Sequence, residues 1–266
     1  MSVLLTRAVP WTIGLGRGRL LVERNLVLYR RSWPILVSGF LEPVLYLFSI
    51  GIGIGSLVRT VSVGGTQVSY LAFVAPAMLA ASAMNGAIFD ATFNVFFKLK
   101  YAKLYDAVLA TPLGPRDVAV GEITWALLRG TLYAAGFLTV MGVLGLLRSW
   151  WALAALPAAL LVGFAFAAAG MAATTYLRSW QDFEWVLLAT MPMFLFSGTF
   201  YPLQTYPAGL AHLVAVTPLY QGVALLRGLL LGPVGPGLLG HAAYLTVLGL
   251  CGVALTARRL RRLLLP

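Results

Sequence analysis

Six long apolar stretches alternate with short polar ones along this 266-residue chain, at about 35–58, 70–97, 118–147, 152–177, 183–203 and 237–257. Each supplies about the 20 residues that a helix needs to cross a hydrocarbon core of roughly 30 Å. The pattern therefore predicts six transmembrane helices. The fifth stretch cannot be one uninterrupted helix. It runs through Phe194-Leu-Phe-Ser-Gly-Thr-Phe-Tyr-Pro202-Leu203, and Pro207 and Pro218 punctuate the residues beyond it. Proline removes a backbone donor and clashes with the preceding turn, and a broken span must bury its freed polar backbone in protein or water. A second apolar stretch at 218–227 comes after the break, so residues 203–232 read as a short helical re-entry at the outer membrane face.

Two segments outside the spans carry helical periodicity. Residues 1–34 are too charged to insert, yet Val22, Leu26, Tyr29 and Trp33 recur at helical spacing while Glu23, Arg24, Arg30 and Arg31 point elsewhere. This is the pattern of a cytoplasmic amphipathic helix lying in the membrane interface; a loose, positively charged tail that only sets topology is the alternative. Between the second and third spans, Tyr101, Leu104, Tyr105 and Val108 form an i, i+3, i+4, i+7 stripe with Lys100, Lys103 and Asp106 off it. Thr111-Pro112-Leu-Gly114-Pro115 then ends the helix and turns the chain. Residues 98–112 thus read either as a helix placed to receive a force from a soluble partner or as a connector packed on lipid headgroups. With no internal repeat or soluble domain in view, residues 35–266 form a single membrane domain, and the fold class is all-α integral membrane.

Composition agrees: the apolar fraction is 60%, charged residues are 10%, and the mean hydropathy is +0.89, far from ordinary soluble usage. The placement of the 19 Lys and Arg residues sets the orientation. Arg7, Arg17, Arg19, Arg24, Arg30 and Arg31 precede the first span, Lys98, Lys100, Lys103 and Arg116 lie between the second and third, and Arg258, Arg259, Arg261 and Arg262 close the chain. The other side holds Arg59, Arg148 and Arg227. The positive-inside rule places both termini in the cytoplasm of a bacterial-type inner (plasma) membrane. A net charge of +11 is accounted for by anionic lipid headgroups rather than nucleic acid. The single Cys251 offers neither a disulfide framework nor a thiolate metal site, and no cleavable signal peptide is expected.

Four ionisable residues fall within the apolar runs: Glu42, Asp90, Glu122 and Arg129. An ionised group at the bilayer centre costs at least about 2.5–3.5 kcal/mol, so each should face protein, water or the interface. Glu122 and Arg129 share a helix face two turns apart, too far for an easy direct pair, and Glu122 fits the cytoplasmic boundary. Arg129 lies deeper and should meet a negative group, either a carboxylate from another span or a substrate headgroup. Glu42, which precedes Pro43, and Asp90 have two readings each, structural pairing or a place along a transport path. The Gly51-Ile-Gly53-Ile-Gly55 run lacks nucleotide-binding spacing and reads as close helix packing. No phosphate loop exists, His212 and His241 are isolated, and no catalytic or metal-ligating constellation is present. Uphill movement would draw its energy from another polypeptide or from an ion gradient.

Several stretches taken together resemble a known family. Phe40-Leu-Glu42-Pro43-Val-Leu-Tyr46 leads into the glycine run. Tyr70-Leu-Ala-Phe73-Val-Ala-Pro76, Ser82-Ala-Met84 and Asp90 are followed by Tyr105-Asp106-Ala-Val-Leu109-Ala-Thr111-Pro112 and Gly121-Glu122. Phe196-Ser197-Gly198-Thr-Phe200-Tyr-Pro202-Leu203 precedes Pro218-Leu219-Tyr220 and Leu226-Arg227. From about Glu23 to Arg227 the chain resembles the type-2 membrane permeases of ABC exporters, particularly the nodulation lipo-oligosaccharide exporter branch, although that branch often has Glu where this chain has Asp90. The resemblance implies a permease that moves an amphipathic substrate (glycolipid, lipo-oligosaccharide or drug) out of the cytoplasm and is not itself an enzyme. It implies a second permease subunit, identical or paralogous, and two cytoplasmic ATPase subunits that carry the ATP and Mg, with no cofactor on this chain. Tyr101, Leu104, Tyr105, Asp106, Leu109, Thr111 and Pro112 would then face the ATPase, Phe200, Tyr201, Pro202, Pro218 and Tyr220 would form an outer gate, and Glu42, Asp90 and Arg129 would line the substrate path. Two rival classes are an intramembrane enzyme acting on lipid-linked substrates and an ion-coupled secondary transporter. The first predicts turnover of a lipid by the chain alone; the second predicts gradient-driven flux and usually an internal repeat.

Overall fold

A computed structural model describes residues 16–30, 33–63, 65–147, 150–232 and 234–264. In hydrocarbon every backbone N–H and C=O must be satisfied within the chain, and the apolar runs accordingly fold as helices. In order these are α1 (Arg19–Arg30), α2 (Trp33–Leu57), α3 (Tyr70–Phe89), α4 (Leu104–Leu109), α5 (Pro115–Val143), α6 (Ala152–Thr174), α7 (Phe183–Phe196), α8 (Ala208–Val216), α9 (Pro218–Leu231) and α10 (Gly237–Leu264). A two-stranded antiparallel hairpin, β1 (Thr60–Val63) and β2 (Thr66–Ser69), joins α2 to α3. The chain is a multi-pass, predominantly helical membrane protein. Among the described residues, four helical runs are long and apolar enough to cross a bilayer: Tyr70–Tyr101, Pro115–Val143, Ala152–Thr174 and Gly237–Leu263. The pair α8–α9, bent by 85°, raises that count to five at most. The 14 residues of α7 rise only about 21 Å at 1.5 Å per residue.

The core is built on α6, which packs most extensively against α10, α3 and α5. Its sequence is dominated by alanine, which lets neighbouring backbones approach closely. At Gly252 of α10, a Cβ would lie 2.7 Å from the backbone of Ala168, so only glycine fits that crossing. The glycine run in α2 behaves less uniformly than expected. Gly51 presses on Leu71, whereas Gly53 and Gly55 face open space, so one glycine of the three serves a helix crossing within this chain.

Helix α3 starts from an N-cap, with Ser69 Oγ accepting from the Ala72 amide at 3.3 Å. Beyond Phe89 it widens into π-helical turns at Asp90–Asn94 and Phe97–Tyr101. The first widening is met by α6, where Thr174 Oγ1 lies 3.0 Å from the Ala91 carbonyl and 2.9 Å from that of Gly170. Such π turns recur at functional positions. Lys103, with φ of 46°, then breaks the helix, and α4 begins at Leu104. The 98–112 stretch is therefore the tail of α3 plus a six-residue helix, rather than one continuous amphipathic helix. Gly114 and Pro115 turn the chain into α5, where the Gly114 amide donates to Asp117 Oδ2 at 2.9 Å.

Helix α1 and the 3₁₀ turn Gly16–Gly18 that leads into it lie against α5 through Gly18, Leu21 and Asn25, which are buried, and Tyr29, which is partly buried, at i, i+3 or i+4 spacing. Of the expected stripe, Val22 and Tyr29 turn inward, Leu26 is exposed, and the side chain of Trp33 lies outside the described residues. The expectations that fall on residues 1–15, 31–32 and 148–149, including Arg7, Arg31 and Arg148, also lie outside them. Gly18 and Gly121 set the closeness of the α1–α5 contact: a Cβ on Gly121 would meet the Gly18 carbonyl at 2.8 Å.

Candidate functional site

The bundle has a basic end, which carries α1, α4, the start of α5 and the final turns of α10, and an opposite end with the hairpin and the α8–α9 bend. The polar groups buried inside the bundle concentrate at the basic end. Glu122, about two turns beyond the start of α5, is 5% exposed. Its Oε2 accepts from Lys98 Nζ at 2.7 Å and from Asn25 Nδ2 at 3.3 Å. Tyr105 of α4 is fully buried; burial first, and the Glu122 charge second, hold its phenol well above the ordinary tyrosine range. One acidic group thus ties α1 to the tail of α3.

Two turns deeper on α5, Arg129 forms the second node. Its guanidinium pairs with Asp90 Oδ1 at 2.6 Å and donates to Tyr29 Oη at 3.2 Å. It also lies over the rings of Tyr29 and Tyr133 at 5.6 and 5.7 Å. Asn94 Nδ2 completes the group by donating to Tyr29 Oη at 3.4 Å. Beside the pair is a cavity of about 10 Å³, lined in part by Ser82, Gly86, Gly130 and Tyr133, about the room of a single water. A carboxylate from another span is therefore what Arg129 meets. Lys98 and Glu122, and Arg129 and Asp90, are thus paired, and stripping one partner from such a pair costs about 3–5 kcal/mol.

The other residues expected at the site separate into groups. In the 98–112 stretch, Tyr101 is 61% exposed and stacks on Phe97 with centroids 5.8 Å apart. Leu104 and Leu109 are partly buried, and Asp106, Thr111 and Pro112 are exposed. Thr111 Oγ1 donates to the Val108 carbonyl, and the Pro112 carbonyl accepts from Arg17, which ties the loop to the start of α1. Glu42 lies on α2, and its side chain is outside the described residues.

At the opposite end, Phe200 packs edge-on against Phe194 with centroids 5.5 Å apart, and its carbonyl accepts from Tyr70 Oη at 3.4 Å. Tyr201 is exposed, Pro202 precedes a short 3₁₀ turn, and Pro218 opens α9 beneath the Thr217 cap on the Tyr220 amide. Pro218 and Tyr220 thus sit on α9, while Phe200 to Pro202 sit on the turn after α7. Gly198, with φ of 72°, brings that turn to within van der Waals reach of the Tyr220 ring.

Sequence reasoning missed Asn25, Tyr29 and Lys98 as partners in these nodes. The signal for the first two was present: a lone amide at position 25, four residues from Leu21 and from Tyr29, is out of place on a face that meets lipid.

A multi-pass helical bundle with ion pairs buried at its basic end defines an integral membrane protein. Residues 18–231 match the ABC-2 type transporter family, and the chain belongs to it, as a permease subunit of an ABC exporter. It is similar to Nodulation protein J of Rhizobium leguminosarum bv. viciae, at 33% identity over 90% of this chain and 93% of that protein. The bv. trifolii protein of the same name is 32% identical over 91% and 92% of the two chains. That of Rhizobium meliloti (strain 1021) is 30% identical over 92% of each.

Proposed function

We propose that this permease exports an amphipathic cargo, a glycolipid, lipo-oligosaccharide or drug, driven by ATP bound with Mg to separate cytoplasmic ATPase subunits. In this reading α2, α3, α5, α6, α7 and α10 are the six spans, with the turn after α7 completing the short fifth one. The bent α8–α9 pair re-enters the outer face, and both termini lie in the cytoplasm with the basic end. The observation that carries the reading is the 98–112 stretch. It protrudes at the basic end with Asp106, Thr111 and Pro112 exposed, yet its root is ionically fixed to the membrane helices through Lys98. A protruding segment with a fixed root suits the reception of a push from a docked partner. Tyr101, Leu104, Tyr105, Asp106, Leu109, Thr111 and Pro112 then form or support the docking face.

A second copy of the permease, identical or paralogous, would cover α7. That helix is fastened at its start by aromatic packing, with Phe183 stacked on Phe93 at 4.2 Å. Beyond the fastening it presents Trp185, Leu188, Met191 and Leu195 outward. A shared path between two such surfaces would offer apolar walls for lipid or drug carbon, with polar headgroups meeting the boundary charges.

The test is to co-express the chain with its neighbouring ATPase and substitute Asp106→Lys or Leu109→Asp. Recovery of the ATPase with the permease, and hydrolysis coupled to it, should fall while the permease still inserts. Unchanged recovery and coupling would refute the assignment, as would directional flux in proteoliposomes holding this chain alone.

A further inference from the structure

We propose that Glu122 is the positioning residue through which the 98–112 stretch moves the membrane helices. This deepens the export reading and rests on it. Two elements converge by hydrogen bond on one buried carboxylate, α1 through Asn25 at 3.3 Å and the tail of α3 through Lys98 at 2.7 Å, with the fully buried Tyr105 of α4 in its field. A carboxylate at the membrane boundary could simply remain hydrated. This one is withdrawn from water, with 4% of its side chain exposed against 12% for Lys98. An apolar replacement of a buried ion pair is often no less stable, so stability alone does not account for the placement.

Glu122 is also joined to a second set of contacts on the same helix. Arg129, seven residues on and on the same face of α5, holds Asp90 of the α3 tail and Tyr29 of α1. Asn25 and Tyr29 are four apart on α1, so each helix engages both nodes. The close Gly18–Gly121 backbone approach seats the start of the α1 segment directly on α5. A displacement of the 98–112 stretch therefore reaches Glu122 through Lys98, at the root of that stretch. It is delivered to α5 as a rotation or tilt that Arg129 passes to the deeper part of α3. The apolar remainder of the 98–112 stripe, by contrast, could slip against its neighbours.

The experiment reads the far end of the molecule while nucleotide acts at the near end. In a Cys251→Ser background, Gln204→Cys places a thiol in the exposed turn Leu203–Thr205. The rate of its labelling by a water-soluble maleimide is measured on the permease–ATPase complex in nanodiscs, with and without ATP, Mg and vanadate. Glu122→Gln and Lys98→Met should shrink the nucleotide-dependent change in rate about three- to tenfold, with nucleotide still trapped by the ATPase. The reversed pair Lys98→Glu/Glu122→Lys should restore it.

A full response in both single variants overturns the proposal, even where the complex melts at a lower temperature, because the pair then serves stability alone. A loss that the reversed pair leaves unrestored overturns it as well. If the unsubstituted chain recovers no ATPase, or its reporter ignores nucleotide, the export reading itself falls and takes this proposal with it. Lys98→Met, at the better-hydrated member of the pair, decides the matter should Glu122→Gln fail to fold.

Discussion

Arg227 of α9 is a cation enclosed by protein at the end of the bundle where positive charge is scarce. Its guanidinium donates to the carbonyls of Gly198 at 2.8 Å and Phe73 at 3.3 Å and lies 4.0 Å over the Phe73 ring. Among the described residues no carboxylate pairs with it. It therefore acts as a clamp on backbone, drawing together α3, α9 and the turn that ends α7. Hydrogen bonds to a charged group contribute about 1.5–3 kcal/mol each. Arg227→Met should lower the unfolding free energy in detergent by about 2–4 kcal/mol, with Arg227→Lys intermediate because an ammonium lacks the planar fork. At the other end, Asp90→Asn and Arg129→Gln should each cost about 3–5 kcal/mol. The double variant should cost much less than their sum, a coupling that a double-mutant thermal-unfolding cycle measures. Lys103 carries backbone strain of about 1 kcal/mol in its left-handed conformation, so Lys103→Gly should be tolerated and Lys103→Val should destabilise.

At the scale of elements, the repeating apolar spacing made four spans and the turn at 111–115 legible, because both arise from local rules. The face each helix turns inward was harder to read. Lipid tails and protein interiors are equally apolar, so hydrophobic spacing does not tell lipid contact from helix contact. This is why Leu26 faces outward while Asn25, a polar residue, faces in. Close approach is set by size instead, and α1 docks where glycine meets glycine. Gly121→Ala should cost about 1–3 kcal/mol by overpacking and release α1, which protease accessibility near Arg19 and Arg24 would report. The π turns of α3 were likewise invisible locally, because the hydroxyl that answers the first of them belongs to Thr174, 83 residues away. Asp90, Glu122 and Arg129 were singled out from sequence, whereas Lys98 was read only as a cytoplasmic charge; which partner each takes depends on helix crossings that no spacing within one helix encodes.

For the molecule as a whole, the charge asymmetry and the membrane class were plain from composition, whereas the short α7 and the hairpin were not. A helix about 21 Å long with Trp185, Leu188, Met191 and Leu195 turned outward is an incomplete wall unless another surface adjoins it. If that surface is a second permease, Leu188→Arg with Met191→Glu should convert the purified particle from dimer to monomer, as read by mass photometry. An unaltered mass would place the dimer seam elsewhere.

The right-angled corner between α8 and α9 is held chiefly from downstream. Gln221 braces it internally on the Ala215 carbonyl at 2.6 Å, while His241 of α10 holds Gln221 and Tyr244 of α10 grips the Val216 carbonyl at 2.8 Å. During synthesis α8 and α9 leave the ribosome before those two side chains exist as a folded surface. The corner consequently takes its final shape only after α10 has packed into place, which makes its setting a late step of biogenesis.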